Sequence, residues 1–179
     1  MNHLKHLVIL FVAVLFLGAC SADSKNTATT TTTAAASNEG IVAPSFNLVD
    51  VKGDRYNLAD YKGKKVYVKF WASWCSICLA GLEELNTLAG EEQDFVVLSI
   101  VSPNFNNEKD SDAFIKWFNG VENTSNIKVL LDEDGAIAKQ YNVRAYPTSS
   151  YIGSDGKLIQ TLPGHVGNPQ IIEKFKSIQ

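Results

Sequence analysis

The sequence predicts an α/β domain over residues 41–179, built as a central mixed β-sheet flanked by helices with an N-terminal β-hairpin extension. Three observations carry this. Short runs rich in Val, Ile, Phe and Tyr alternate with stretches whose apolar residues recur at helical spacing, the pattern of parallel strands joined by helical crossovers. The run Phe95–Val101 is apolar almost without a break, as a strand buried on both faces requires. Two late runs joined by Ser154-Asp155-Gly156-Lys157 add an antiparallel hairpin edge.

Element by element, Phe46-Asn47-Leu48-Val49 and Tyr56-Asn57-Leu58 flank the turn Lys52-Gly53-Asp54 and form the first hairpin. Residues 66–71 make a central strand that runs straight into Cys75. Residues 75–89 follow as one helix, with Ile77, Cys78, Leu82, Leu85 and Leu88 on its apolar face. After the buried strand, Ser111 is placed to cap a helix through Phe114, Ile115, Trp117 and Phe118, stopped by Asn119-Gly120. Residues 128–131 are a short strand ending in the turn Asp132-Glu133-Asp134-Gly135, and residues 136–141 a brief helix before Pro147. Strands at Thr148–Ile152 and 158–162 close the sheet. Asn168-Pro169 supplies a capping residue and a first-turn proline for the last helix.

The domain starts at residue 41 because the preceding stretch has another character. A short positive segment precedes an unbroken apolar run of eleven residues, 7–17. A membrane-spanning helix needs about 20. Residues 1–19 therefore read as a secretory signal peptide. The run ends Leu17-Gly18-Ala19-Cys20, which resembles a bacterial lipobox and implies acylation of Cys20. Residues 20–40, rich in Thr, Ala and Ser, contain nothing to bury and are expected to form a flexible tether behind the lipidated cysteine. The chain would then work outside the cytoplasm, held on the bacterial cell membrane by its N-terminal lipid.

Charge adds little. The chain carries a net −3 at pH 7, and loss of the one Lys in residues 1–20 leaves −4. That balance argues against a nucleic-acid partner. Cysteine usage says more. Apart from Cys20, only Cys75 and Cys78 are present, separated by two residues. A bond between them closes almost no loop and is a poor structural staple. A pair this close in an exported protein points to redox chemistry or metal binding. On a helix the two Cβ atoms lie about 5–6 Å apart on one face, close enough to bridge with small adjustment. The thiol at the helix N-terminus has its thiolate favoured by the unpaired N–H groups there. Cys75 is therefore the expected attacker of a partner disulfide and Cys78 the resolver.

The segment Trp71-Ala72-Ser73-Trp74-Cys75-Ser76-Ile77-Cys78 resembles the active-site motif of the thioredoxin family. Ala43-Pro44-Ser45-Phe46-Asn47-Leu48 and Leu58-Ala59-Asp60-Tyr61-Lys62-Gly63-Lys64 resemble the N-terminal extension of its membrane-anchored TlpA-like branch. The resemblance covers the domain from residue 41 to its end. It implies a thiol–disulfide oxidoreductase with a thioredoxin-like fold and no cofactor or metal. It also implies a cis Tyr146-Pro147 bond beside the cysteines, where Trp74, Tyr146 and Pro147 would meet a client. Trp71 and Trp74 are expected to pack and to touch partners, not to react. Where the family carries a buried Asp before the motif, this chain has Lys69, whose ammonium either stabilises a thiolate or extends to solvent. The family's helix-kinking proline is replaced by Glu83. Ser76-Ile77 between the cysteines lacks the histidine of strongly oxidising members, which favours a reducing role. A reductase of this branch would take electrons from an integral-membrane thiol carrier. It would pass them to exported clients bearing disulfides or oxidised cysteines, such as methionine sulfoxide reductase or cytochrome-maturation proteins. The competing reading is a copper or zinc carrier using the same thiols, although zinc sites usually gather four ligands. A peroxidase would need a differently flanked cysteine. His165, the domain's one histidine, reads as a loop residue, and Glu83-Glu84 as a solvated helix face.

Overall fold

The computed structural model describes residues 38–179. The expected signal peptide, Cys20 and most of the tether fall on residues 1–37, outside the described residues. In chain order the strands are β1 (Ile41–Val42), β2 (Asn47–Asp50), β3 (Arg55–Asn57), β4 (Lys65–Phe70), β5 (Phe95–Val101), β6 (Val129–Leu131), β7 (Thr148–Ile152) and β8 (Lys157–Pro163). The helices are α1 (Ser76–Ala80), α2 (Leu82–Gly90), α3 (Ser111–Phe118), α4 (Ala136–Gln140) and α5 (Asn168–Lys176).

All eight strands form one sheet in the order β1-β8-β7-β4-β5-β6-β2-β3. β4, β5 and β6 run parallel at its centre, as the alternation with helices predicts. The β7–β8 hairpin pairs antiparallel along the other side of β4, with β1 covering β8, so β7 lies well inside the sheet. The N-terminal hairpin β2–β3 joins the opposite side through β6, pairing Val49 with Leu131 and Asp50 with Leu130.

Side chains on β4 alternate between two cores, as strand geometry demands. Val66, Val68 and Phe70 enter one core with Leu98, Ile100, Leu130 and Tyr141. Tyr67 enters the other, with Leu85 and Leu88 of α2, Phe114 of α3 and Phe175 of α5.

Several details differ from the sequence expectation. The helix expected over residues 75–89 is two helices, α1 and α2, broken at Gly81 (φ −95°, ψ 3°). Glycine is the weakest helix former in that run. Here it also lies against a ring, since a Cβ at Gly81 would stand 3.3 Å from Cε1 and Nδ1 of His165. The break thus falls two residues before Glu83, at the glycine. α3 is capped by Asp110, whose carboxylate accepts the Ala113 N–H at 2.8 Å, so Ser111 is the first helical residue. An acid at the cap also complements the helix dipole. α5 is capped by Gly167, because the Asn168 N–H and side chain are turned to Glu84 of α2.

Two further contacts set the ends of the domain. Asp132, buried where β6 stops, accepts the N–H groups of Ile137 (2.9 Å) and Ala138 (2.8 Å) and the Ser102 hydroxyl (3.1 Å), capping α4 from upstream. Asn38 donates its side-chain amide to Asp155 (2.9 Å) and to the Gln179 carbonyl (2.7 Å). The Ser154 carbonyl in that same turn accepts the Gly63 N–H just ahead of β4. The chain therefore enters the domain at the end of the sheet where β4 begins. Among the described residues no helix is long and apolar enough to cross a membrane.

Candidate active site

The redox pair sits at the other end of β4. The Trp71 N–H still bonds to Ile100 of β5 (3.1 Å), and the chain then turns, with the Cys75 N–H on the Ala72 carbonyl (3.2 Å). Cys75 is the N-cap of α1, at φ −86° and ψ 103°. Its sulfur accepts the Cys78 N–H at 3.2 Å, the contact a capping oxygen ordinarily makes. Cys75 and Cys78 are joined in a disulfide, their Cα atoms 5.2 Å apart, inside the range of about 4.4–6.8 Å that such bonds occupy. Cys75 is 7% exposed and Cys78 3%. Ser76 and Ile77 between them are exposed.

The turn before Cys75 is held from beneath. Trp71 is buried against Phe114 (5.8 Å between centroids), Trp117 (6.4 Å) and Phe118 (6.0 Å) of α3. Glu108, from the loop between β5 and α3, is buried with only 2% of its side chain exposed. Its carboxylate accepts the Ser73 N–H (2.5 Å), the Ser73 hydroxyl (2.6 Å) and the Lys109 N–H (2.8 Å). The Lys109 ammonium closes the cluster, donating to the Ser73 hydroxyl oxygen at 2.6 Å.

On the other flank the Tyr146-Pro147 bond is cis, as the motif implies. Thr148, next in the chain, pairs with Phe70 at the end of β4, which brings the cis bond beside the cysteine turn. The Pro147 carbonyl accepts the Gly164 N–H (2.7 Å), whereas the backbone of Tyr146 enters no loop bond among the described residues. Trp74, half exposed, meets the Tyr146 ring edge-on at 5.8 Å. Burial raises the Tyr146 hydroxyl pKa, and the nearby polar side chains of Asn106 and Ser102 act the other way.

Lys69 does not extend to solvent. It is 5% exposed, on the face of β4 that also carries Tyr67, in register with Ser149 and Ser99. Burial pulls its pKa down, and the nearby Glu84 carboxylate opposes that shift. Glu84 is no freely solvated residue either. It accepts the Asn168 N–H (2.8 Å) and stands 3.3 Å from Nε2 of His165, bridging α2 to the loop after β8.

The structure thus brings Cys75, Cys78, Trp74, Tyr146 and Pro147 together, with Ser76 and Ile77 on the rim and Lys69 on the strand that leads into the turn. Cys20 lies outside the described residues. Glu108, Asn106 and Arg144 border the site without any sequence signal: Asn106 and Glu108 sit in the polar run Asn106–Lys109 and Arg144 in a loop, and neither stretch has a periodicity to mark an inward-pointing side chain. Among the described residues no three His, Cys, Asp or Glu side chains gather as a metal site.

A cysteine pair closing at a helix N-terminus, beside a cis-proline loop on a mixed sheet, defines a thioredoxin-like thiol–disulfide oxidoreductase. The chain belongs to the Redoxin family, whose model matches residues 36–173. It is 50% identical over 125 residues to a Haemophilus influenzae protein without an assigned function, covering 69% of this chain and 80% of that one. It is 32% identical over 139 residues to the thiol-disulfide oxidoreductase ResA of Bacillus thuringiensis, covering 78% of each. Among solved structures, the exposed lipoprotein thioredoxin Etrx1 of Streptococcus pneumoniae superposes with a TM-score of 0.73 at 44% identity, over 75% of this chain and all of that one.

Proposed function

We propose that this protein is an extracytoplasmic reductase, anchored to the cell membrane through a lipid on Cys20. In this reading it moves electrons from an integral-membrane thiol carrier to exported client proteins. The observation that carries the exchange chemistry is the Cys75 sulfur at the N-cap of α1, hydrogen-bonded by the Cys78 N–H, with cis-Pro147 on the flanking loop. The reducing direction is supported by Ser76-Ile77, which lack the histidine of strongly oxidising members. A donor aimed at that sulfur favours its thiolate. The signal-like leader and the lipobox support the location, as does the similarity to a protein described as an exposed lipoprotein.

In the proposed cycle the Cys75 thiolate attacks one sulfur of a client disulfide. The Cys75–client bond forms, the client S–S bond breaks, and the first client thiolate leaves. Cys78 then gives up its proton and attacks Cys75, releasing the second client thiolate. The client has gained two electrons, and the protein is left with the Cys75–Cys78 disulfide for the membrane carrier to reduce. Cys75 is assigned the first attack because it is the capping and more exposed sulfur. Trp74 and the free backbone of Tyr146 form the surface on which the client lies.

Trapping tests the roles. Cys78→Ala is expected to accumulate mixed disulfides with clients on non-reducing gels, and Cys75→Ala none; the reverse pattern would overturn the assignment. A reductase also requires a couple near the thioredoxin value of about −270 mV. A value near −120 mV would make the protein an oxidant.

A further inference from the structure

Beside the cysteine turn lies a cleft of about 270 Å³, lined by Trp74 and Tyr146 of the client surface together with Asn106, Asn107, Arg144 and Ala145, to which the cycle above gives no part. Its position is set by the two site loops: Trp74 immediately precedes Cys75, and Tyr146 immediately precedes cis-Pro147. A client held across those loops has the residues flanking its reactive cysteine over this cleft.

The chemistry of the lining is one-sided. Arg144 is its one charged group, and no carboxylate lines it. The guanidinium is oriented by an Nε–H bond to the Asn142 side chain (2.9 Å), and its terminal amino groups make no other hydrogen bond or ion pair among the described residues. Asn106 (φ 49°) and Asn107 (φ 64°) hold left-handed conformations that asparagine tolerates better than most residues. Both residues line the same cleft. The buried carboxylates of Asp132 and Glu108 each already accept three hydrogen bonds. Trp74 supplies an apolar wall.

We propose that this cleft is a specificity subsite for an Asp or Glu side chain next to the client's reactive cysteine. The carboxylate meets the Arg144 fork and the two amides, and the methylene stem lies along Trp74. This inference rests on the client face assigned under the proposed function.

The test uses the reduced full-length protein and two short peptides, each with one internal disulfide, differing only in Glu or Lys beside the cysteine. The ratio of the second-order rate constants for single-turnover reduction of the two peptides is measured within each protein variant, so a general loss of activity or stability cancels. Wild type is expected to reduce the Glu peptide roughly fivefold faster, the scale of one exposed charge contact. The ratio should shrink as salt screens the contact. Arg144→Gln should bring it to about one, and Arg144→Glu should invert it. A wild-type ratio of one, or a ratio that survives Arg144→Gln, overturns the subsite and leaves the exchange chemistry standing. If no form reduces either peptide, the exchange reading fails and the subsite fails with it.

Discussion

An ammonium kept from water on a central strand costs desolvation that a single partner seldom repays in full. Lys69 is in that position: burial lowers its pKa and the Glu84 carboxylate only opposes the shift. Between its folded pKa and the ordinary lysine value of 10.5, the unfolded chain holds a proton that the native chain lacks. Stability attributable to this residue therefore rises with pH through that window, and the full penalty is borne below it. Lys69→Met is expected to stabilise the domain by on the order of 1 kcal/mol near neutral pH in urea denaturation. The gain should fade as pH approaches the unfolded lysine's pKa. In the proposed tuning role, the same cation favours the thiolate and thus the reduced couple. Its removal should lower the potential by about 10–30 mV, because 30 mV corresponds to about 1.4 kcal/mol in a two-electron couple. An unchanged potential in a stabilised variant would leave Lys69 with no part in the redox chemistry.

The elements around the site divide into those with a periodic signal and those without. β4, β5, the closing hairpin and the cysteine pair were legible because alternation, an unbroken apolar run and a two-residue spacing each mark the sequence directly. The break at Gly81 was not, since glycine alone does not end a helix and the ring packed against it arrives from the loop after β8, far away in the chain. The caps at Asp110 and Gly167 each differ from expectation by one residue, because neighbouring residues of capping type compete and tertiary contacts choose between them. Glu108 was hidden for a related reason. Its run of polar residues looks like solvated loop, yet the carboxylate turns inward and clasps the β5–α3 loop to the turn carrying the cysteines. Glu108→Ala strands the buried Ser73 N–H, and it should cost about 2–3 kcal/mol in chemical denaturation, the penalty of an unsatisfied buried donor with its lost partners. Glu108→Gln, which keeps an acceptor on Ser73, should recover more than half of that loss. Equal losses in the two variants would mean that the clasp depends on the charge and not on the acceptor geometry.

At the scale of the whole domain, entry and reaction occupy opposite ends of the sheet. Asn38 is fastened to the β7–β8 turn beside the start of β4, and Cys75 follows the end of β4. β4 alone separates the two by about 20 Å. If the lipid on Cys20 is the anchor, the redox pair sits on the end of the domain farthest from its own attachment. A membrane carrier reaches that pair only if the connecting chain lets the domain turn. A random chain of 17 residues, the number between Cys20 and Asn38, spans about 23 Å on average, comparable to the length to be turned. Deleting residues 24–35 would cut that span to about 12 Å. The shortened protein is expected to accept electrons from the membrane carrier at least about fivefold more slowly, because the effective concentration of the pair at the carrier falls. Its reduction by dithiothreitol, which reaches the pair from solution, should match wild type. Slowing with both reductants would point to damage in the domain itself. Slowing with neither would mean that the carrier meets the pair without any reorientation of the anchored domain.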